Sequence, residues 1–345
     1  LRSCNFHGMF EIMKNESRPV LFLATGGTIA GKTPEGKSGT YESGSLGIST
    51  LLGSSDTLRN KSEYDAEDIS AVGSQDMSEE IWLHLHTRIR QAFSDGYKVV
   101  IVTHGTDTLE ETAFMLDLTL PPEGTVILAG AMRPADSPGA DGPRIIQNAL
   151  EIARKCITVP RGVIALSGDT IFSSRTVYTA VTSGTEGMRA WPGGPCGYVS
   201  PAGAHFFPAG VYEHYAGFFT LPAPGHWPRV PVLFVTACMD SFSADAVLRT
   251  HPAGVVVAGV GHGNVPEWLL AKLTDFVSTG GVVVRSTRIN EGAVKRNLEV
   301  DDENRGFISA GFLSPQRSRI LLQLILSQNT STLSEIQHVF DAVNL

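Results

Sequence analysis

The chain has 345 residues, 42% of them hydrophobic and 18% charged, with a formal net charge of −8. That is core material for two α/β domains and too apolar for a disordered chain. The negative balance and the scattered basic residues exclude a nucleic-acid partner, because such a surface repels phosphate, and no apolar run reaches membrane-spanning length.

Residues 1–18 are mixed and polar, with no continuous apolar stretch ahead of a small-residue cleavage site, and read as a leader or expression remnant. A cytoplasmic location follows by default, with the periplasm open if a signal peptide has been removed. Residues 20–24 (VLFLA) form a short apolar run that breaks at Gly26 and Gly27, which predicts a buried strand. Residues 32–45 are dense in Gly, Ser, Thr and Pro and predict a mobile loop. Ile81, Leu85, Ile89 and Phe93 recur every four residues and predict an amphipathic helix. Strands over 97–103, 125–129 and 162–166 then alternate with helices over 109–118 and 144–155. This rhythm predicts a mostly parallel sheet covered by helices on both faces.

From 207 to 229 the pattern dissolves into Pro, Gly and aromatics and reads as a linker. A second alternation follows: strands over 230–236, 254–260 and 281–286, a helix over 266–278, and closing helices over 317–327 and 332–343. The expected organisation is therefore α/β in two domains. The larger, N-terminal one spans 19–206, and the smaller, flavodoxin-like C-terminal one spans 230–345. The cysteines, Cys4, Cys156, Cys196 and Cys238, lack C-x-x-C spacing, so neither a zinc site nor a disulfide framework follows.

In open parallel sheets, ligands sit beyond the carboxyl ends of strands. Two hydroxyl-rich segments meet that condition, ATGGTIAG at 24–31 and THGTDTLEE at 103–111. The glycine pair before Thr28 lets backbone amides approach a substrate oxygen, where they would stabilise an oxyanion. Thr28 is then a candidate nucleophile that needs a base or a hydrogen-bonded relay. A plain turn is the competing reading, and GGTIAGKT at 26–33 also fits the phosphate-loop pattern of a nucleotide triphosphatase. The phosphate loop needs a helix directly after it, and Pro34, Gly36 and Gly39 do not propagate one. Ser74 and Gln75, in the polar turn GSQDMS at 73–78, stand either as substrate contacts or as part of a helix start. Glu110 and Glu111 begin a helix, where negative charge suits the dipole, and His104 is read as orienting its turn.

Taken together these segments resemble the bacterial L-asparaginase/glutaminase family. The resemblance continues through GAMRP at 130–134, ADGP at 140–143, GHGN at 261–264, VVVRSTR at 282–288, LEVDD at 298–302 and SPQRSRILLQL at 314–324. It implies an amidohydrolase acting on a small amino-acid amide through a covalent acyl-enzyme, with Thr28 as nucleophile and Tyr41 beside it on a lid over 32–45. It implies that Thr106, Asp107 and Glu299 complete the catalytic set, with Asp107 facing the substrate ammonium. It also implies that Gly27, Ser74, Gln75, Gly105 and Asn264 hold the substrate. Asn264 and Glu299 match residues that reach a neighbouring subunit's site, which implies a dimer or tetramer with shared active sites. No metal or organic cofactor is implied. The chain departs from the family where a lysine is expected. That position falls on Thr179, next to a bulkier Tyr178, and no lysine occurs between Lys155 and Lys272. Three outcomes stay open: a weak or specialised asparaginase, an enzyme for a different amide, imide or ester, and an amino-acid-binding protein without turnover.

Overall fold

The computed structural model describes residues 20–35, 40–53, 64–208, 217–328 and 332–344. The fold is mixed α/β, with a large N-terminal sheet and a separate, smaller parallel sheet. The large sheet has eight strands in the order β10-β9-β6-β5-β4-β3-β1-β2. Its parallel part is β2 (Tyr64–Val72), β1 (Val20–Gly26), β3 (Val99–Thr103), β4 (Thr125–Ala129) and β5 (Gly162–Ser167). An antiparallel extension follows, of β6 (Thr170–Ser173), β9 (Gly197–Ser200) and β10 (Gly203–Phe206). A separate ribbon pairs β7 (Val177–Thr179) with β8 (Met188–Ala190).

The apolar runs at 20–24 and 99–103 are central strands buried on both faces, which is why they lack alternation. Val20, Phe22 and Ala24 pack with α1 (Ile48–Gly53) and α4 (Gly142–Cys156) on one face. Leu21 and Leu23 point the other way, into a core shared with α2 (Glu79–Ser94) and α3 (Leu109–Thr119). Ser78 caps α2 as the sequence suggests, accepting from the Ile81 amide.

The smaller sheet runs β11-β12-β13-β14, all parallel: Val232–Phe234, Gly254–Gly259, Val282–Thr287 and Phe307–Ser309. α5 (Phe242–Leu248) and α6 (Glu267–Ser278) precede β12 and β13, and a single turn, α7 (Asp302–Arg305), precedes β14. α8 (Pro315–Ser327) and α9 (Leu333–Val343) close the chain. Ile320, Leu321 and Leu324 of α8 share one apolar cluster with Phe114 and Leu118 of α3. The second unit therefore packs directly against the helix that follows the THGTDT turn. No described helix is long and apolar enough to cross a membrane.

Candidate active site

β1 ends in two glycines at positive φ, 106° for Gly26 and 77° for Gly27, a region an L side chain rarely enters. A Cβ on Gly27 would stand 2.3 Å from the Gly105 amide nitrogen, so here the two turns meet backbone to backbone. A Cβ on Gly105 would in turn stand 2.6 Å from Ser74 Oγ. The turns at 26–31, 73–78 and 103–108 thus interlock at the carboxyl ends of β1, β2 and β3. Gly27 does not serve as an amide donor to an oxyanion. Its N–H is spent on Val72 O at 2.8 Å, and its contribution is close approach.

Thr28 follows at the start of a short 3-10 turn, Thr28–Ala30, and is 9% exposed. Its Oγ1 shares a hydrogen bond of 3.2 Å with the phenol of Tyr41, the one described contact that brings a second hydroxyl to it. Gly31 leaves room for the Tyr41 ring, since a Cβ there would meet Cδ2 at 2.9 Å. Of the expected lid, residues 36–39 lie outside the described residues. Around them Lys32 and Glu42 pair through their backbones, fixing the base of the loop that delivers Tyr41.

The THGTDT turn is held from below by a directional chain. Gly105 O can only accept, so His104 Nδ1 carries the proton given to it at 2.7 Å. Nε2 is then an acceptor for the Thr112 hydroxyl at 2.9 Å, and Thr112 Oγ1 accepts from Trp82 Nε1 at 2.9 Å. His104 is fully buried, and that burial lowers its pKa to about 4, so it stays neutral in the fold. Thr108 Oγ1 donates to Ser74 O at 2.8 Å, tying this turn to the next. Ser74 is buried and its Oγ has no partner among the described residues, whereas Gln75 and Asp107 are exposed.

Thr179, at the end of β7, meets the same turn from the other side. Its Oγ1 donates to Thr106 O at 2.9 Å and its amide donates to Glu110 Oε2 at 3.0 Å. The second Glu110 oxygen accepts from Gln316 on α8. Glu110 is 5% exposed and is therefore a buried link between two domains, not only a charge placed for the helix dipole. Arg317, 3% exposed, donates to Val177 O and stacks over Phe114 at 5.8 Å. Burial lowers its pKa, and the charges of Glu110 and Glu111 act against that. Burial, then the neighbouring Glu110 charge, raises the pKa of Glu111. Tyr178 turns its hydroxyl outward and donates to Glu291 Oε1 at 2.6 Å. Sequence reasoning gives Glu110 only a helix-start role and gives Gln316 and Arg317 none, because no local signal ties Glu110 to Gln316, 206 positions away.

Asn264 and Glu299 lie in the second domain and bond to each other. Their other polar contacts stay near home: Asn264 with the Val260 backbone, and Glu299 with His262 at 3.8 Å. Asn264 Oδ1 is buried and has no partner among the described residues. Arg285 organises this corner. It makes two bonds to Asp302, at 2.5 and 2.7 Å, and donates to His262 O at 2.9 Å, so it fixes the GHGN turn and the LEVDD segment together.

Comparison with known proteins matches residues 19–210 to the family model "Asparaginase, N-terminal" and residues 229–340 to "Glutaminase/Asparaginase C-terminal domain". The chain is 34% identical over 325 residues to L-asparaginase 2 of Escherichia coli, covering 93% of this chain and 92% of that one. It is 31% identical to the glutaminase-asparaginase of Pseudomonas aeruginosa, over 93% of this chain and 89% of that one. The crystal structure of a probable cytoplasmic L-asparaginase from Campylobacter jejuni superposes with a TM-score of 0.86 at 32% identity. It covers 94% of this chain and 99% of the other.

Proposed function

The chain belongs to the asparaginase family of amidohydrolases, and on that premise we propose that it hydrolyses a small amino-acid amide with Thr28 as the nucleophile. The observation that carries this reading is the Thr28–Tyr41 hydroxyl pair, 3.2 Å apart, at the end of a central buried strand. Thr28 Oγ1 attacks the amide carbon, and its proton leaves through the Tyr41 phenol. The amide of Thr28, at the head of the 3-10 turn, takes the oxyanion role that Gly27 cannot fill. Cleavage of the C–N bond releases ammonia and leaves an ester on Thr28, and water then returns the hydroxyl and the free acid. Thr106 assists the water step. Ser74 and Gln75 hold the substrate carboxylate, and Asp107 faces the α-nitrogen. No metal or cofactor takes part in this reading.

A second reading has its own observation. Position 179 carries no charge, and its hydroxyl and amide are committed to Thr106 and Glu110. Nothing there compensates Asp107, which favours weak turnover of L-asparagine and leaves room for a different amide, imide or ester, or for binding without turnover. Ammonia release from a panel of small amides separates these outcomes. Thr28→Ala in a well-folded protein is expected to abolish release, and a mutant that keeps most of its turnover would sink the nucleophile assignment.

Self-association belongs to the same proposal. Among the described residues the polar contacts of Asn264 and Glu299 stay within their own domain, and the orphaned Asn264 Oδ1 suits a site completed by a second copy. Sedimentation is expected to show a dimer or tetramer, and a fully active monomer would contradict it.

A further inference from the structure

Where the chain leaves the Thr28 turn it meets the loop that joins β4 to α4. Asp136 of that loop accepts twice from Thr33, from the amide at 2.7 Å on Oδ2 and from the hydroxyl at 3.2 Å on Oδ1. Just before this pair, the Ala135 amide donates to Gly31 O at 2.9 Å. Three hydrogen bonds thus stitch residues 31–33 to residues 135–136. The β4–α4 loop is itself fixed, because Asp141 accepts the Met132 amide on Oδ2 and the Arg133 amide on Oδ1, each at 3.0 Å. Pro34 disfavours helical backbone at Thr33, which suits the extended pairing seen next to it.

From Thr33 the connection to Tyr41 is short. Lys32, its neighbour, donates its amide to Glu42 O at 3.1 Å and accepts the Glu42 amide at 2.9 Å. Tyr41 precedes Glu42, and its phenol lies 3.2 Å from Thr28 Oγ1. Beyond Tyr41, the Gly44 amide donates to Gly27 O at 3.1 Å and the Leu46 amide to Ala30 O at 3.0 Å. Tyr41 is 46% exposed, so packing does not fix its ring, and its place depends on these ties. Asp136 supplies the charged acceptor among them, and hydrogen bonds to a charged acceptor are the stronger kind.

We propose that Asp136 is a positioning residue for the reaction: by gripping Thr33 it holds the Lys32–Glu42 pair in register and keeps the Tyr41 phenol within reach of Thr28 Oγ1. The inference rests on the reading above, in which the Thr28 proton leaves through Tyr41. A proton acceptor works only within hydrogen-bond reach of the group it relieves. Without the carboxylate, the amide and hydroxyl of Thr33 turn to water, the root of the loop takes more positions, and Tyr41 spends less time beside Thr28. Asp136 is exposed on a surface loop, so its replacement disturbs no packed core. Among the described residues it bonds to neither Thr28 nor Tyr41, so its effect runs through the loop.

The test measures ammonia release from L-asparagine and L-glutamine by wild type, Thr28→Ala, Asp136→Ala and Asp136→Asn, with both Asp136 variants also made in a Tyr41→Phe background. Asp136→Ala is expected to lower kcat about threefold to tenfold and to move KM by less than about twofold. Asp136→Asn keeps an acceptor for the Thr33 amide and is expected to return kcat to within about twofold of wild type. In Tyr41→Phe, which has no phenol to position, Asp136→Ala is expected to cost less than about twofold. Hydrogen exchange at the Glu42 amide supplies a readout besides activity and is expected to be severalfold faster in Asp136→Ala. Wild-type kcat or wild-type exchange in Asp136→Ala, a loss that Asp136→Asn shares in full, or the same loss with and without the Tyr41 phenol would overturn the positioning role alone. Absence of Thr28-dependent ammonia from both amides would overturn the amidohydrolase reading on which it rests, and the exchange result would then still show whether Asp136 holds the loop.

Discussion

Thr179→Val removes one oxygen and keeps the shape of the side chain. In the wild type that oxygen donates to Thr106 O at 2.9 Å, while the Thr179 amide separately holds Glu110. The substitution therefore cuts the hydroxyl contact and spares the backbone one. A hydrogen bond of this kind contributes about 0.5–1.5 kcal/mol. Thr106 is only 6% exposed, so water does not readily replace the lost donor. If the bond holds Thr106 where the water step needs it, its loss appears in kcat as a drop of about twofold to tenfold. KM for the amide is expected to move little, since Ser74 and Gln75 lie on another turn. The assay is steady-state ammonia release beside a thermal melt, with Thr179→Ser as the control that restores the hydroxyl. A folded Thr179→Val protein with wild-type kcat, or a serine variant that recovers nothing, would refute the idea that this hydroxyl positions Thr106.

Thr179→Lys acts in the opposite direction on L-asparagine. It brings a cation to a wall that holds Asp107, Glu110 and Glu111 and fills the cavity beside them, so kcat/KM on L-asparagine is expected to rise by about tenfold or more, as ammonia release will show. His104 makes stability depend on acid: its folded pKa of about 4 lies below the ordinary 6.5, so the unfolded chain takes the proton first as pH falls. About 3 kcal/mol of stability is then lost between about pH 6.5 and pH 4, with Glu111, whose pKa is raised, working in the opposite sense. Denaturant titrations of wild type and His104→Gln at pH 7 and pH 4.5 check this, and equal slopes with pH would contradict it. Gln316→Leu removes a donor to Glu110 from the second domain and is expected to lower kcat severalfold. An unchanged kcat would show that the amide of Thr179 holds Glu110 unaided.

The turns of the candidate site were legible because each is local: a strand, a glycine that bends it, and hydroxyls within six residues. The central strands were legible for the same reason, as unbroken apolar runs. β2 was not foreseen, since YDAEDISAV is half-exposed and carries three acids. β6 to β10 were missed because strands of three or four residues hold too little pattern to register. Gly27 was expected to offer its amide to substrate, and only the fold shows that amide bound to Val72 O. Glu110 was read as a dipole partner because its sequence neighbourhood is a helix start. Its burial depends on α8, which arrives from the far end of the chain.

That arrival alters what the second domain does for the first. Gln316 bonds Glu110, Arg317 bonds Val177 O two residues before Thr179, and both stand on a helix packed into the core beside α3. The placement of Thr106 therefore depends on the docking of α8 as well as on its own turn. Glu110 and Arg317 are buried charges of opposite sign, and each would be costly without the other nearby. A slight shift of α8 would loosen the Glu110 carboxylate, and with it the amide of Thr179, before any substrate-contacting residue moved. Turnover should then be sensitive to interdomain packing at positions that never meet the substrate. The uncharged residue at 179 sharpens that sensitivity, because it reaches Thr106 through a single neutral hydrogen bond.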